Sequence, residues 1–136
     1  MKTYRLLLVL LLVLLSACSM MPNHKDDFTK KNEDFMLRVR WLDFQGASLH
    51  FSEELRADFL ERFNDVDDLK VTNFTMTRLD IDAPNDQVVV HYLLEYYKLP
   101  SVTLSKKRFS LAWEEQASGG MKFAYWRIVE PFPELL

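Results

Sequence analysis

The sequence predicts an α+β domain in which N-terminal helices pack on a curved, four-stranded antiparallel sheet. Two observations carry this. Apolar residues recur at helical spacing as far as Val66, then switch after Leu69 to extended patterning rich in Val, Thr, Tyr and Phe. Turn-forming clusters then divide the second half into four segments, and connections so short favour antiparallel neighbours. Helices first and strands after describe an α+β layout with the helices on one sheet face.

Each element follows from local chemistry. Phe28, Phe35, Val39 and Leu42 form one helical stripe, with Thr29 available as its cap and Gly46 as the break after it. A short apolar piece holds Ala47, Leu49 and Phe51. Ser52 followed by Glu53 and Glu54 marks the next start, a capping hydroxyl and two carboxylates at the positive end of the helix dipole. Leu55, Phe59, Phe63 and Val66 give that helix its buried side, and the acidic run at 65–68 ends it. Strands are expected over 70–82, 87–98, 102–115 and 122–130. Ala83-Pro84-Asn85-Asp86, Leu99-Pro100-Ser101 and Ala117-Ser118-Gly119-Gly120 supply the turns.

Trp41 and Phe44 near the end of the first helix, Phe109-Ser110-Leu111-Ala112-Trp113, and the later Ala124-Tyr125-Trp126-Arg127-Ile128 give this layout a recognisable cast. Over residues 28–132 it resembles the NTF2-like (cystatin-like) superfamily of cone-shaped α+β domains. The resemblance implies a cone with room for a small molecule, for which Trp41, Phe109, Trp126 and His91 are the candidate lining residues. Layout alone does not imply an activity.

The N-terminus carries a sharper motif. Leu15-Ser16-Ala17-Cys18 follows the apolar run Leu6–Leu15, itself preceded by Lys2 and Arg5. It resembles the lipobox of bacterial lipoproteins, and the run is shorter than the roughly 20 residues a spanning helix needs. The resemblance implies removal of residues 1–17 as a signal peptide and lipidation of Cys18 through its thiol and its new amine. Several acyl chains would make that attachment effectively permanent. Ser19, where retention signals place Asp, implies the periplasmic face of the outer membrane. Residues 18–27 read as the lipidated cysteine and a polar tether, reaching at most about 30 Å, and residues 28–136 as a single domain.

Cys18 is the only cysteine, so neither a disulfide nor a cysteine metal site is expected. The formal net charge of −3 becomes more negative once Lys2 and Arg5 leave, and the only basic cluster is Lys106-Lys107-Arg108. Nucleic-acid binding is therefore not expected. His24, His50 and His91 form no metal-ligand spacing, Gly119-Gly120 precedes no helix or lysine, and Ser52 and Ser101 have no base at a motif spacing. No metal, cofactor or catalytic residue is expected.

The strand over 88–97 is apolar or aromatic in both registers: Val88, Val90, Tyr92, Leu94 and Tyr96, against Val89, His91, Leu93 and Tyr97. Helices can cover only one side. Tyr92 and Tyr96, joined by Tyr125, are the candidate partner-binding patch on the other, unless the C-terminal segment 131–136 folds back over it. The expected function is a membrane-anchored, non-catalytic binding or assembly module that engages another envelope protein or a second copy of itself. The alternative is an apolar-ligand or acid/base cone using His91 with Asp80 or Asp82. Pairing across the Pro84 turn sets Asp82 near the strand start and His91 further along, whereas a dyad needs hydrogen-bond reach.

Overall fold

The computed structural model describes residues 24–117 and 124–135. It is an α+β unit of three helices and a four-stranded antiparallel sheet. The first helix, α1 (His24–Arg40), takes in residues 24–27, which the sequence reading assigns to the tether; Thr29 thus lies inside the helix and is not its cap. An acidic residue such as Asp27 suits the positive end of the dipole, so the start is favourable without that cap. The chain turns at Leu42, which has φ 61°, and not at Gly46. Gly46 lies within the short helix α2 (Phe44–Ser48), where its N–H donates to Asp43 Oδ1 at 2.9 Å. A Cβ there would overlap the tips of the Asp43 and Arg38 side chains, which would have to move aside, so glycine leaves room for their ion pair.

Past α2, Phe51 forms a parallel bridge with Ile128, fastened by Ser52 N–H to Ile128 O (2.9 Å) and Ile128 N–H to His50 O (2.8 Å). Ser52 occupies the N-cap of α3 (Glu53–Arg62), but its hydroxyl makes no capping bond. The first-turn Glu53 and Glu54 still favour this start through the dipole.

The sheet is a meander, β1 (Leu69–Asp82), β2 (Gln87–Lys98), β3 (Ser105–Ala117) and β4 (Ala124–Ile128), with neighbours in sequence order. A 3₁₀ turn, Ala83–Asn85, joins the first two. Two register shifts interrupt β1, between Val71 and Asn73 and between Met76 and Arg78. The intervening Thr72 and Thr77 turn their hydroxyls onto Glu95 O (3.0 Å) and His91 O (3.1 Å). Such bulges bend an edge strand and make it a poor template for further pairing.

All three helices lie against one face. Phe35 is fully buried, its ring edge-on to Phe51, Phe74, Tyr92 and Trp113 at centroid distances of 5.7, 5.8, 6.2 and 5.8 Å. Phe28 meets Trp113 and Trp126 in the same way. The C-terminal segment closes this face: Phe132 packs on Phe59, Phe63 and Phe109, and Tyr96 donates its hydroxyl to Leu135 O at 2.5 Å.

Candidate functional site

Burial alternates strictly along the middle of β2. Val90, Tyr92, Leu94 and Tyr96 face the helices, whereas Val89, His91, Leu93, Glu95 and Tyr97 remain half-exposed on the opposite side. No described element covers that second face.

This corrects the expected tyrosine patch. Tyr92 is 1% exposed and Tyr96 8%, both within the core. Tyr92 accepts from Trp113 Nε1 (3.0 Å) and donates to Asn32 Oδ1 (2.5 Å), while Asn32 Nδ2 points to Met76 Sδ at 3.6 Å. Burial pushes the Tyr92 hydroxyl well above its ordinary pKa, so it stays a neutral donor and acceptor. The C-terminal segment does fold back and covers Tyr96, but on the helix side of the sheet and not over the opposite face, where the sequence reading places it. Of the three expected tyrosines, Tyr125 alone is on the open face, opposite Gln116, with the Arg127 guanidinium 4.4 Å from its ring centre.

The residues overlooked by the sequence reading are Val89, Leu93 and Tyr97, and a signal for them was present. Their register contains His91 and Glu95, whereas the Val88–Tyr96 register contains no charge. A carboxylate in one register marks the wet face.

Charges of both signs surround these side chains. Arg78 is opposite His91 and Asp80 opposite Val89, so Asp80 sits diagonally from His91. The Asp80 carboxylate accepts from Arg78 and, with the ring protonated at Nε2, from His91 Nε2 at 2.9 Å. The hydrogen bonds from Arg78, then His91, hold its pKa below the usual carboxylate range. Glu95, paired to Lys106 at 2.5 Å and to Asn73 at 3.2 Å, is lowered for the same reason. The hairpin register set at the Ala83–Asn85 turn, Asp82 opposite Gln87 and Asp80 opposite Val89, brings Asp80 within reach of His91 before the bulge at Thr77 is met.

The four residues expected to line a cone do not meet. Trp41 is 74% exposed beyond the end of α1, Phe109 is packed among Phe74, Tyr92 and Phe132, Trp126 lies on Phe28, and His91 is across the sheet. The volume between helices and sheet is filled by Trp113, Phe35, Tyr92 and Phe51. A pocket of ≈ 210 Å³ instead lies between the end of α3 and Pro133–Leu135.

A second polar cluster joins α1 to α2. Asp34 accepts from His50 Nε2 (2.8 Å) and from Arg38 Nε (2.7 Å), and Arg38 also bonds Asp43 (2.6 Å). Burial works to raise the Asp34 pKa, but hydrogen bonds from Arg38 and His50 outweigh it and hold it low. His50 lies between the rings of Phe35 and Trp113, its Nδ1 buried without a partner. Burial therefore lowers its pKa, against the opposing pull of Asp34 and with a minor contribution from the like charges of Lys31 and Arg38.

The unfolded chain takes up the His50 proton near pH 6.5, whereas the folded chain takes it up only at lower pH. Stability is full above about 6.5 and falls as pH drops below it, before the Asp34 contribution is lost below about 3.8. Urea midpoints should fall between pH 7 and pH 5, and His50→Gln should flatten that fall. An unchanged slope would contradict this assignment.

Among the described residues no three metal-ligating side chains gather, and no helix is long and apolar enough to cross a membrane. The lipobox, Cys18 and residues 18–23 of the expected tether lie outside the described residues. Compared with known proteins, the chain matches no family model, no curated protein and no solved structure.

Proposed function

We propose that the chain is a lipid-anchored, periplasm-facing lipoprotein of the outer membrane whose domain is a non-catalytic binding or assembly module. The lipobox at Leu15–Cys18 supports the anchor, and the uncovered sheet face supports the binding role. The NTF2-like assignment belongs to the same reading. Its support is the order of three helices before a four-stranded meander, with Phe51 bridged in parallel to the last strand.

The carrying observation is a sheet face that no described element covers, with Val89, Leu93 and Tyr97 half-exposed along one of its middle strands. Strands about 4.8 Å apart and about 33 Å long over ten residues give this face roughly 600 Å². A specific interface uses about 800 Å² per partner. The face mixes Arg78, Lys106, Arg108 and Arg127 with Asp80, Glu95 and Glu114, a pattern that suits a two-fold contact with a second copy. Leu93→Glu should weaken self-association about 100-fold by burying unpaired carboxylates, while shifting Tm by no more than about 3 °C. Sedimentation of the mature chain reads the first quantity and calorimetry the second.

The acid/base alternative has one observation in its favour, the 2.9 Å contact of His91 with Asp80. Under it, His91→Ala and not Leu93→Glu is the damaging substitution.

A further inference from the structure

The loop between β2 and β3 exposes aliphatic side chains that nothing in the fold requires. Leu99 is 42% exposed, Val102 78% and Leu104 46%. The loop is tied at its start, where Leu99 N–H donates to Asp68 O at 2.9 Å, and within, where Thr103 N–H donates to Ser101 Oγ at 3.2 Å. Its aliphatic side chains are thus presented outward from a loop held at both points.

The flanks carry one sign of charge. Residues 98–108 include Lys98, Lys106, Lys107 and Arg108 and no acid, in a chain whose net charge is −3. Lys98 is matched by Asp68 (3.7 Å) and Lys106 by Glu95 (2.5 Å). Lys107 and Arg108 make no ion pair among the described residues. Opposite Leu94 and Leu93 respectively, they fall on the two different faces of the sheet and so flank the loop on both sides. An aliphatic tip between two unmatched cations fits a surface that is apolar inside and anionic at its rim.

From this we infer that the 99–104 loop is a membrane-contact site, which sets Leu99, Val102 and Leu104 among the acyl chains of an anionic bilayer while Lys107 and Arg108 meet lipid phosphates. The inference does not depend on the lipid proposed at Cys18, because it uses only the far end of the sheet from Phe28 and Trp126. A hydrophilic protein surface would leave the aliphatic tip unmatched, and a zwitterionic bilayer would leave the cations so.

The test places an environment-sensitive fluorophore at the loop through Val102→Cys in the full chain. The labelled wild-type chain serves as the reference for any signal from Cys18. On vesicles of phosphatidylcholine with phosphatidylglycerol, the emission should shift to the blue and be quenched by spin-labelled acyl chains. On phosphatidylcholine alone both effects should be lost. Adding Lys107→Gln and Arg108→Gln should weaken the contact about 30-fold, at about fivefold for each cation near an anionic surface. Because the labelled wild-type chain gives the Cys18 signal alone, a chain held to the vesicle only by its N-terminus shows no blue shift beyond the wild type's, a water-exposed signal from the loop. That signal on the mixed vesicles would overturn the inference, as would equal insertion into both compositions. A blue shift produced by concentrated protein without vesicles would also overturn it, in favour of contact between copies.

Discussion

Shortening Phe35 to alanine is expected to remove about 3–5 kcal/mol of stability, the cost of deleting a buried aromatic ring whose cavity closes only in part. The ring is fully buried and touches α1's partners on every side: His50 and Phe51 after α2, Phe74 on β1, Tyr92 on β2 and Trp113 on β3. Domains of this size are stable by about 5–15 kcal/mol in total, so a large share is at stake. Trp41→Ala is the matching control. That side chain is larger but mostly in solvent, and its loss should change stability by no more than about 0.5 kcal/mol. Urea unfolding of the two variants beside the parent measures both. Equal effects would mean that α1 does not pack on the sheet as described.

Tyr92→Phe should cost about 2–4 kcal/mol although it removes a single oxygen. The hydroxyl serves Trp113 Nε1 and Asn32 Oδ1 at once, and both partners are buried. A buried polar group left without a partner costs about 1–3 kcal/mol, which is why the effect exceeds that of one ordinary hydrogen bond. The same change at Tyr97, on the wet face of the same strand, should be nearly neutral. Asn32→Leu should reduce the penalty of Tyr92→Phe, since residues in one network do not contribute independently. Equal unfolding midpoints for Tyr92→Phe and Tyr97→Phe would contradict the network.

The architecture was largely legible because it rests on patterns that sequence states directly. Phe28, Phe35 and Val39 fix a helical stripe, and the strand over 87–98 is bounded by Pro84 and Pro100, which end pairing on either side. The start of α1 was less so. A helix can begin on dipole and solvation alone, and the polar residues 24–27 carry no apolar signal. The break at Leu42 was hidden for a related reason. Gly46 looked like the hinge, yet its lack of a Cβ serves a close approach to Arg38 and Asp43, while Leu42 bears the left-handed conformation.

The candidate site failed at one step, the choice of face. Tyrosine suits both a wet surface and a satisfied core site, so Tyr92 and Tyr96 could not decide between them. The charges could: Glu95 and His91 share a register with Val89, Leu93 and Tyr97. The partner that keeps Tyr92 content, Asn32, comes from a helix sixty residues away. Such a long-range bond is set by the packing of α1 on the sheet and has no local signature. The contact of His91 with Asp80 is a diagonal one, made because Asp80 is opposite Val89 on the same face, and the spacing from the turn to each residue does not by itself show a side chain reaching to the next pair.

The central claim is that the uncovered sheet face, and not the helical side, is where this domain binds. Its most direct test is the dissociation constant for self-association of the mature chain, measured by sedimentation for the parent, Leu93→Glu and Leu37→Glu. Leu37 is an exposed aliphatic residue on α1, so its variant adds the same charge away from the sheet face. The account predicts association about 100-fold weaker for Leu93→Glu and unchanged for Leu37→Glu, with all three proteins folded. Equal constants for the parent and Leu93→Glu, or a loss confined to Leu37→Glu, would contradict it.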